Sequence, residues 1–163
     1  MKKFLLLLHL FIGSAFGVRA QQSRYQGEVN LGFTYGPFKT EWSALGLHTV
    51  HGARTSDHFF VGGGLGLEAV AGDSGGAGFL VPIYLDFKGF LDASKPTTGY
   101  VTLDIGLIPN FGSGDPSAGF YLCPAVGIKA RRFKADLGYK LMDEFGAIQF
   151  RVGLFLGGGK YRK

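Results

Sequence analysis

Three histidines stand close together in the chain and are the first candidates for chemistry, because imidazole can bind a metal ion or transfer a proton. His48, His51 and His58 fall within one stretch of eleven residues. In a regular β-strand, residues three apart point to opposite faces, so His48 and His51 would not bind the same ion. Without further ligands at a recognisable spacing, the sequence predicts no metal site.

Hydrolytic chemistry has a weaker basis still. Ser56, Asp57 and His58 are the residue types of a catalytic triad, but triads are assembled by the fold and rarely by neighbours in sequence. A catalytic pair would need His51 or His58 to lie beside Ser43 or Ser56, a geometry that the sequence does not establish. We therefore predict that the protein is not an enzyme and keep a lipid-modifying enzyme as an alternative hypothesis.

Cofactor and nucleic-acid motifs are also missing. The run Gly62-Gly-Gly-Leu-Gly departs from the dinucleotide pattern and precedes no predicted helix, and Gly159-Lys160 is not followed by the Ser or Thr of a phosphate loop. No basic stretch is interleaved with aromatic residues, as a nucleic-acid groove requires. The sequence predicts no cofactor and no nucleic-acid partner.

The remaining chemistry lies in ten charged residues, five acids and five bases, that recur among apolar residues at alternate positions. If the alternation is that of β-strands, all ten share one face. A closed barrel would let them pair across a narrow lumen, because unpaired buried charge is costly, whereas an open sheet would leave them as solvated surface charges. The predicted lumen network consists of Glu28, Glu68, Asp86, Lys88, Asp104, Lys129, Lys134, Asp136, Lys140 and Arg151.

The elements that must position these residues have a period of two. The clearest is 133–141, in which Phe133, Leu137 and Leu141 share the apolar face and Lys134 and Asp136 lie on the other. The same alternation predicts eight strands joined by short connections, the order of an antiparallel up-and-down meander. Their predicted ranges are 25–35, 44–53, 58–70, 79–88, 100–108, 120–129, 133–141 and 148–156. The fold class is therefore all-β.

Two features indicate that the apolar face meets lipid. First, the polar face is rich in glycine, which weakens a strand that faces water but saves space inside a small barrel. Second, aromatic residues gather near the strand ends on the apolar face, as in the girdles of a transmembrane barrel. These rim positions are Tyr25, Tyr35, Phe59, Phe79, Phe87, Phe120, Phe133 and Tyr139. The sequence predicts an eight-stranded transmembrane β-barrel.

The N-terminal segment has the organisation of a secretory signal: two lysines, an apolar run over 4–12 and small residues up to Ala20. We predict a cleaved signal peptide at 1–20 and one barrel domain at 21–163. The 17 basic residues include Lys2, Lys3 and Arg19, so the domain keeps 14 bases against 12 acids, a net charge of +2. Cys123 is the only cysteine, so no intramolecular disulfide is possible.

Two further expectations concern the strands and their connections. Pro82 and Pro124 fall within predicted strands, where each removes a ladder donor, and they are expected to mark a bulge or bend. The connections are longer at the end of the barrel opposite the termini. Such an asymmetry is typical of barrels whose termini lie in the periplasm.

The segment from Gly119 to Tyr139, together with Phe60-Val-Gly-Gly-Gly-Leu-Gly-Leu-Glu, resembles the small outer-membrane β-barrel proteins of Gram-negative bacteria, the OmpX-like or porin-like superfamily. The resemblance covers nearly all of 25–157 and is one of pattern. It implies location in the outer membrane and insertion by the barrel-assembly machinery. It implies no particular activity.

The leading hypothesis is a monomeric outer-membrane barrel that contacts outer-membrane lipid and has a closed lumen filled by side chains. Its role would be structural or one of surface interaction, since eight strands leave too little space for a general porin. A soluble exported β-barrel that binds an apolar ligand is the alternative. The lipid-modifying enzyme is the third hypothesis.

Overall fold

A computed structural model describes residues 24–37, 41–72, 77–92, 94–110, 117–143 and 145–157. The predicted signal peptide lies outside these ranges. Within them the chain forms nine strands and no helix long and apolar enough to cross a membrane. The strands are β1 (Arg24–Gly36), β2 (Trp42–Arg54), β3 (Phe59–Gly72), β4 (Ala77–Leu80), β5 (Ile83–Phe90), β6 (Thr97–Asn110), β7 (Ser117–Ala130), β8 (Phe133–Met142) and β9 (Phe145–Gly157).

Every strand pairs antiparallel with its neighbours in a single closed sheet. β4 and β5 both pair with β3 and together make one crossing, so the described strands form an eight-stranded barrel. β9 returns to β1, with Leu154 opposite Val29, and this pairing closes the sheet. The predicted all-β, up-and-down antiparallel barrel is confirmed. We call the end where β1 begins and β9 ends the termini end, and the opposite end the loop end.

The two prolines interrupt pairing without inserting a residue. Pro82 separates β4 from β5, yet Leu80 opposite Glu68 and Ile83 opposite Leu65 keep the same register. Near Pro124 the β7–β8 pairing skips two residues on each strand and resumes in register. The prediction of a bulge is therefore wrong at both prolines, and a bend there stays a prediction. Loss of one donor at each proline opens the ladder locally, and the pairings on either side preserve the alignment.

The strands are longer than the alternation predicted, because pairing extends into residues whose types no longer alternate between apolar and polar. The connections shrink accordingly to between two and six residues at each end of the barrel. The predicted difference in connection length is thus much smaller than expected.

Solvation is inverted relative to a water-soluble protein. Twenty-nine large apolar side chains on the described strands are exposed on the outer wall, among them Leu47, Leu85 and Val126. Most of the charged side chains on the strands are instead buried inside. The apolar face points outward and the polar face points into the lumen, as the glycine-rich polar face and the rim aromatics predicted.

Glycine makes room for the aromatic side chains inside. A Cβ atom at Gly127 would lie 2.5 Å from Cζ of Tyr100, and one at Gly64 would overlap the ring of Tyr84. Both rings are buried. The rings therefore lie flat across the neighbouring strand, which only a residue without a side chain permits in so narrow a barrel.

Candidate functional site

The lumen holds a central ion cluster that joins β1, β5, β6, β8 and β9. Its first part surrounds Glu28, which is fully buried. Lys134 Nζ donates to Glu28 Oε2 at 2.8 Å, and Lys88 Nζ lies 3.1 Å from Glu28 Oε1. Lys88 also pairs with Asp86, which accepts a hydrogen bond from Thr102 Oγ1 at 3.0 Å. Two lysines therefore hold two carboxylates from different strands.

Arg151 is the centre of the second part of this cluster. Its Nε donates to Asp136 Oδ1 at 2.7 Å, and its Nη1 donates to Asp104 Oδ2 at 2.6 Å. Tyr100 donates to the other oxygen of Asp136 at 2.7 Å, and Lys134 lies 3.1 Å from that oxygen. The guanidinium thus links β6 to β8 and β9 across the barrel. Charge-assisted bonds of this kind are stronger than neutral ones.

An upper ion cluster lies nearer the loop end. Lys140 Nζ donates to both oxygens of Glu68, at 2.7 and 2.5 Å, and His48 Nε2 lies 3.3 Å from Glu68 Oε1. Gln149 bridges from Glu68 to Thr34. All five side chains are buried. The cluster connects β1, β2, β3, β8 and β9, so it resists sliding of these strands past one another.

Aromatic rings pack together inside the lumen at the termini end. The rings of Phe90, Tyr100 and Phe155 lie with centroids 5.7 to 6.5 Å apart. Arg54 stands 4.3 Å over the Phe90 ring, and Lys129 lies 5.2 Å from the Phe155 centroid. Such distances favour cation–π attraction, which is stronger where water is excluded. We call these five residues the aromatic layer.

All ten residues of the sequence-based network lie in the lumen. Nine belong to the two ion clusters, and Lys129 belongs to the aromatic layer. The sequence reasoning left out His48 and Arg54, although both sit at the inward positions of β2. Both lie an even number of residues from the apolar Val50, and this spacing could have predicted that they point inward. The outward-facing His51 made the alternation of this strand difficult to recognise.

In the described ranges, no hydrogen bond joins His51 or His58 to Ser43 or Ser56. His51 points outward, and its ring nitrogens contact Tyr25 Oη at 2.6 Å and Thr49 Oγ1 at 2.8 Å. Ser43 lies eight residues away on the same strand, about 26 Å at the rise of a β-strand. Ser56 and His58 are exposed in the turn after β2. The contacts of His51 with Tyr25 and Thr49 were not predicted from the sequence, because the contact with Tyr25 depends on how β1 and β2 align.

The turn between β5 and β6 contains an ion pair outside the membrane-spanning strands. Asp92 Oδ1 accepts hydrogen bonds from the Ser94 hydroxyl and backbone amide, and Lys95 Nζ lies 3.1 Å from its other oxygen. The Ser94 hydroxyl, followed by Lys95, lowers the pKa of Asp92 to about 2. The carboxylate favours the folded turn above its ordinary pKa, and this contribution is lost as the pH falls towards 2.

The site's chemistry is that of a filled core. Opposite charges meet with short bonds, and rings cover the termini end of the network. Among the described residues, no three His, Cys, Asp or Glu side chains are grouped so as to hold a metal ion. The lone Cys123 is buried beside Gln149. The arrangement is suited to holding the strands together.

Comparison with solved structures identifies the fold. The chain is similar to the N-terminal β-barrel domain of Pseudomonas aeruginosa OprF, at 14% identity and a TM-score of 0.50 over 83% of this chain and 100% of that one. It is similar to Neisserial surface protein A, at 13% and 0.51 over 83% and 97%. It is also similar to the outer membrane enzyme PagL, at 13% and 0.53 over 79% and 98%. No family model and no curated protein sequence matches. The fold is that of the small outer-membrane β-barrels.

Proposed function

We propose that the protein is an integral outer-membrane β-barrel with a closed lumen and a structural or surface-interaction role rather than a catalytic one. The observation that carries this proposal is the inverted solvation of the wall. Apolar side chains are exposed around the whole barrel, while the ion clusters are buried. A soluble monomer rarely exposes so extensive an apolar surface.

The strand geometry supports the same placement. The crossings of 10 to 14 residues are long enough for tilted strands to span the hydrocarbon core, and closure pairs the backbone groups that lipid could not satisfy. Rim aromatics such as Phe79, Phe133 and Tyr25 are among the most exposed side chains, as expected of interfacial girdles. Insertion would require the barrel-assembly machinery, and the partners in the membrane would be lipids around a single chain.

The proposal predicts membrane extraction and heat-dependent migration. After washing of the membrane fraction with alkaline carbonate, the protein should be released only by detergent. An unheated detergent sample should migrate on a gel at a different apparent size from a boiled one, because the closed sheet resists detergent until heat breaks its pairing. Recovery in periplasmic fluid, with one gel position before and after boiling, would instead support the soluble exported barrel.

The closed lumen predicts that the purified barrel forms no large, stable conducting state in a planar bilayer. The side chains of the aromatic layer and the central ion cluster are buried in the lumen, and eight strands leave an interior only wide enough for side chains or one small ligand. Recordings at both polarities should show a baseline equal to that of the protein-free bilayer. Stable conductance steps of porin size would contradict the closed lumen and leave the membrane placement intact.

A role in surface interaction would depend on the loop end. The four connections there are two to six residues long, and the exposed residues that the structure describes include the acidic Glu41 and Asp143. Asp143 Oδ1 accepts a hydrogen bond from the backbone amide of Phe120 at 2.9 Å, which ties one connection to β7. Connections this short offer little area to a large protein partner. We therefore favour the structural role.

A further inference from the structure

A hydrogen-bonded polar group lies on the apolar outer wall near the termini end. Tyr25 on β1 and Thr49 and His51 on β2 form a hydrogen-bonded chain, with His51 in the middle. The Tyr25 and His51 rings are stacked, with centroids 6.1 Å apart. Tyr25 is 59% exposed, so the chain faces the surroundings of the barrel. We call these three residues the wall trio.

The hydrogen bonds within the wall trio leave one hydroxyl proton without an acceptor. A neutral imidazole carries one N–H, so it donates to one hydroxyl and accepts from the other. The hydroxyl that accepts from the imidazole keeps its own proton free to donate outward, whichever tautomer is present. An O–H group that faces hydrocarbon without an acceptor costs free energy. The wall trio therefore selects for an acceptor in the lipid.

The depth of the wall trio indicates which acceptor lies there. His51 is three residues from the end of β2, about 10 Å along the strand and less along the membrane normal because strands are tilted. That depth is near the boundary between headgroups and hydrocarbon. The oxygens at this boundary in a glycerophospholipid are the carbonyls of its acyl esters. Arg24 is exposed at the start of the same strand pair, closer to the level of the phosphate.

An apolar groove leads from the wall trio along the outside of the barrel. Its volume is about 600 Å³, and Thr49 and His51 line it together with Gly63, Leu65, Leu85 and Leu107. A Cβ atom at Gly63 would meet no atom within 4 Å, so this glycine leaves a gap between larger apolar side chains. Two other wall grooves are lined by the polar residues Lys134 and Thr102, both buried towards the lumen, and the second of them is also lined by the exposed Tyr139. Neither contains a hydrogen-bonded group like the wall trio among the described residues.

We propose that the wall trio and its groove bind one glycerophospholipid. A hydroxyl of the wall trio donates to an acyl ester carbonyl, and the acyl chain lies over Gly63 between Leu65 and Leu85. The inference rests on the proposed membrane placement, because the groove would meet water in a soluble barrel. It assigns one specific lipid-binding site to the wall, whereas a uniformly apolar wall would contact all lipids without preference.

The test is native mass spectrometry of the delipidated, refolded barrel titrated with dioleoylphosphatidylglycerol. The wild type should retain one tightly bound lipid. His51→Leu removes the centre of the hydrogen-bonded chain, and Gly63→Leu fills the groove, so each should weaken binding about tenfold, the equivalent of one good hydrogen bond.

Gly78→Leu is the matched control, because a Cβ there also meets nothing within 4 Å and the residue lies on β4 at the loop end. Its affinity should equal that of the wild type.

Two results would overturn the inference: equal affinity of the wild type and Gly63→Leu, or an equal loss in Gly78→Leu. A diether analogue, which has the phosphate and chains but no ester carbonyl, should bind as weakly as His51→Leu. Full binding of the analogue would refute the ester assignment. Heat-dependent gel migration of every variant tests whether the barrel is folded. A variant or wild type that folds but shows no selective lipid binding would contradict this inference and leave the proposed membrane barrel intact.

Discussion

Replacement of Arg151 by alanine should lower the free energy of unfolding by about 3–5 kcal/mol, the cost of removing one partner from a buried ion pair. Arg151 is 1% exposed and holds both Asp104 and Asp136. Without it, the central ion cluster keeps four carboxylates and only Lys88 and Lys134 to balance them. Denaturant unfolding in phospholipid vesicles, followed by tryptophan fluorescence or circular dichroism, measures the change.

Two further variants make this measurement specific to buried charge. Lys95→Ala removes a base from an ion pair that is exposed, with Lys95 71% accessible, and it should leave stability unchanged within error. Combining Arg151→Ala with Asp104→Asn removes one of the stranded carboxylates and should recover part of the loss. If Arg151→Ala were as mild as Lys95→Ala, the lumen would have to be open to water.

Replacement of Leu47 by arginine should destabilise the barrel in a bilayer by about 2–4 kcal/mol, the cost of a basic residue on the lipid face near the midplane. Leu47 lies in the middle of β2, is 58% exposed and has Leu31 and Leu67 as its cross-strand neighbours. In a water-soluble barrel the same surface change would fall within about 0.5 kcal/mol of zero. The measurement is again denaturant unfolding in phospholipid vesicles.

Leu91→Arg is the matched control for this prediction. Leu91 is 75% exposed but lies in the turn after β5, where the chain leaves the membrane. The penalty for a basic residue falls to about 0–1 kcal/mol near the interface, so Leu91→Arg should be nearly neutral. Equal and small effects of the two substitutions would indicate that water surrounds the whole wall. The soluble barrel would then be the better hypothesis.

Prediction from the sequence succeeded where a property depends on one strand. The alternation over 133–141 placed Asp136 inside and Leu137 outside, because successive residues of a pleated strand point to opposite faces. It was less reliable at strand ends, where β6 begins at Thr97 rather than at residue 100. There the neighbouring strand pairs with residues 97–99, whose types, Thr-Thr-Gly, do not alternate between apolar and polar although their burial does.

The prolines illustrate the same limit. Pro82 and Pro124 were correctly expected to disturb the ladder, since the missing donor is a property of the residue itself. Whether the missing donor leads to a bulge, or only to a few unpaired residues with the register kept, depends on the pairing of the strands on either side. That register is preserved across both prolines, which the sequence of one strand could not reveal.

The sequence by itself determined that the chain forms an eight-stranded barrel and that the ten charged side chains of the predicted network enter its lumen, because side-chain direction follows from a local period of two. Only the tertiary structure decided which charges meet. Lys134 reaches Glu28 across 106 residues of sequence, and Arg151 reaches Asp104 across 47. The same holds for Tyr25, which contacts His51 because β1 and β2 align Gly27 with His51. Such contacts depend on the register and closure of the whole sheet, and no single strand carries that information.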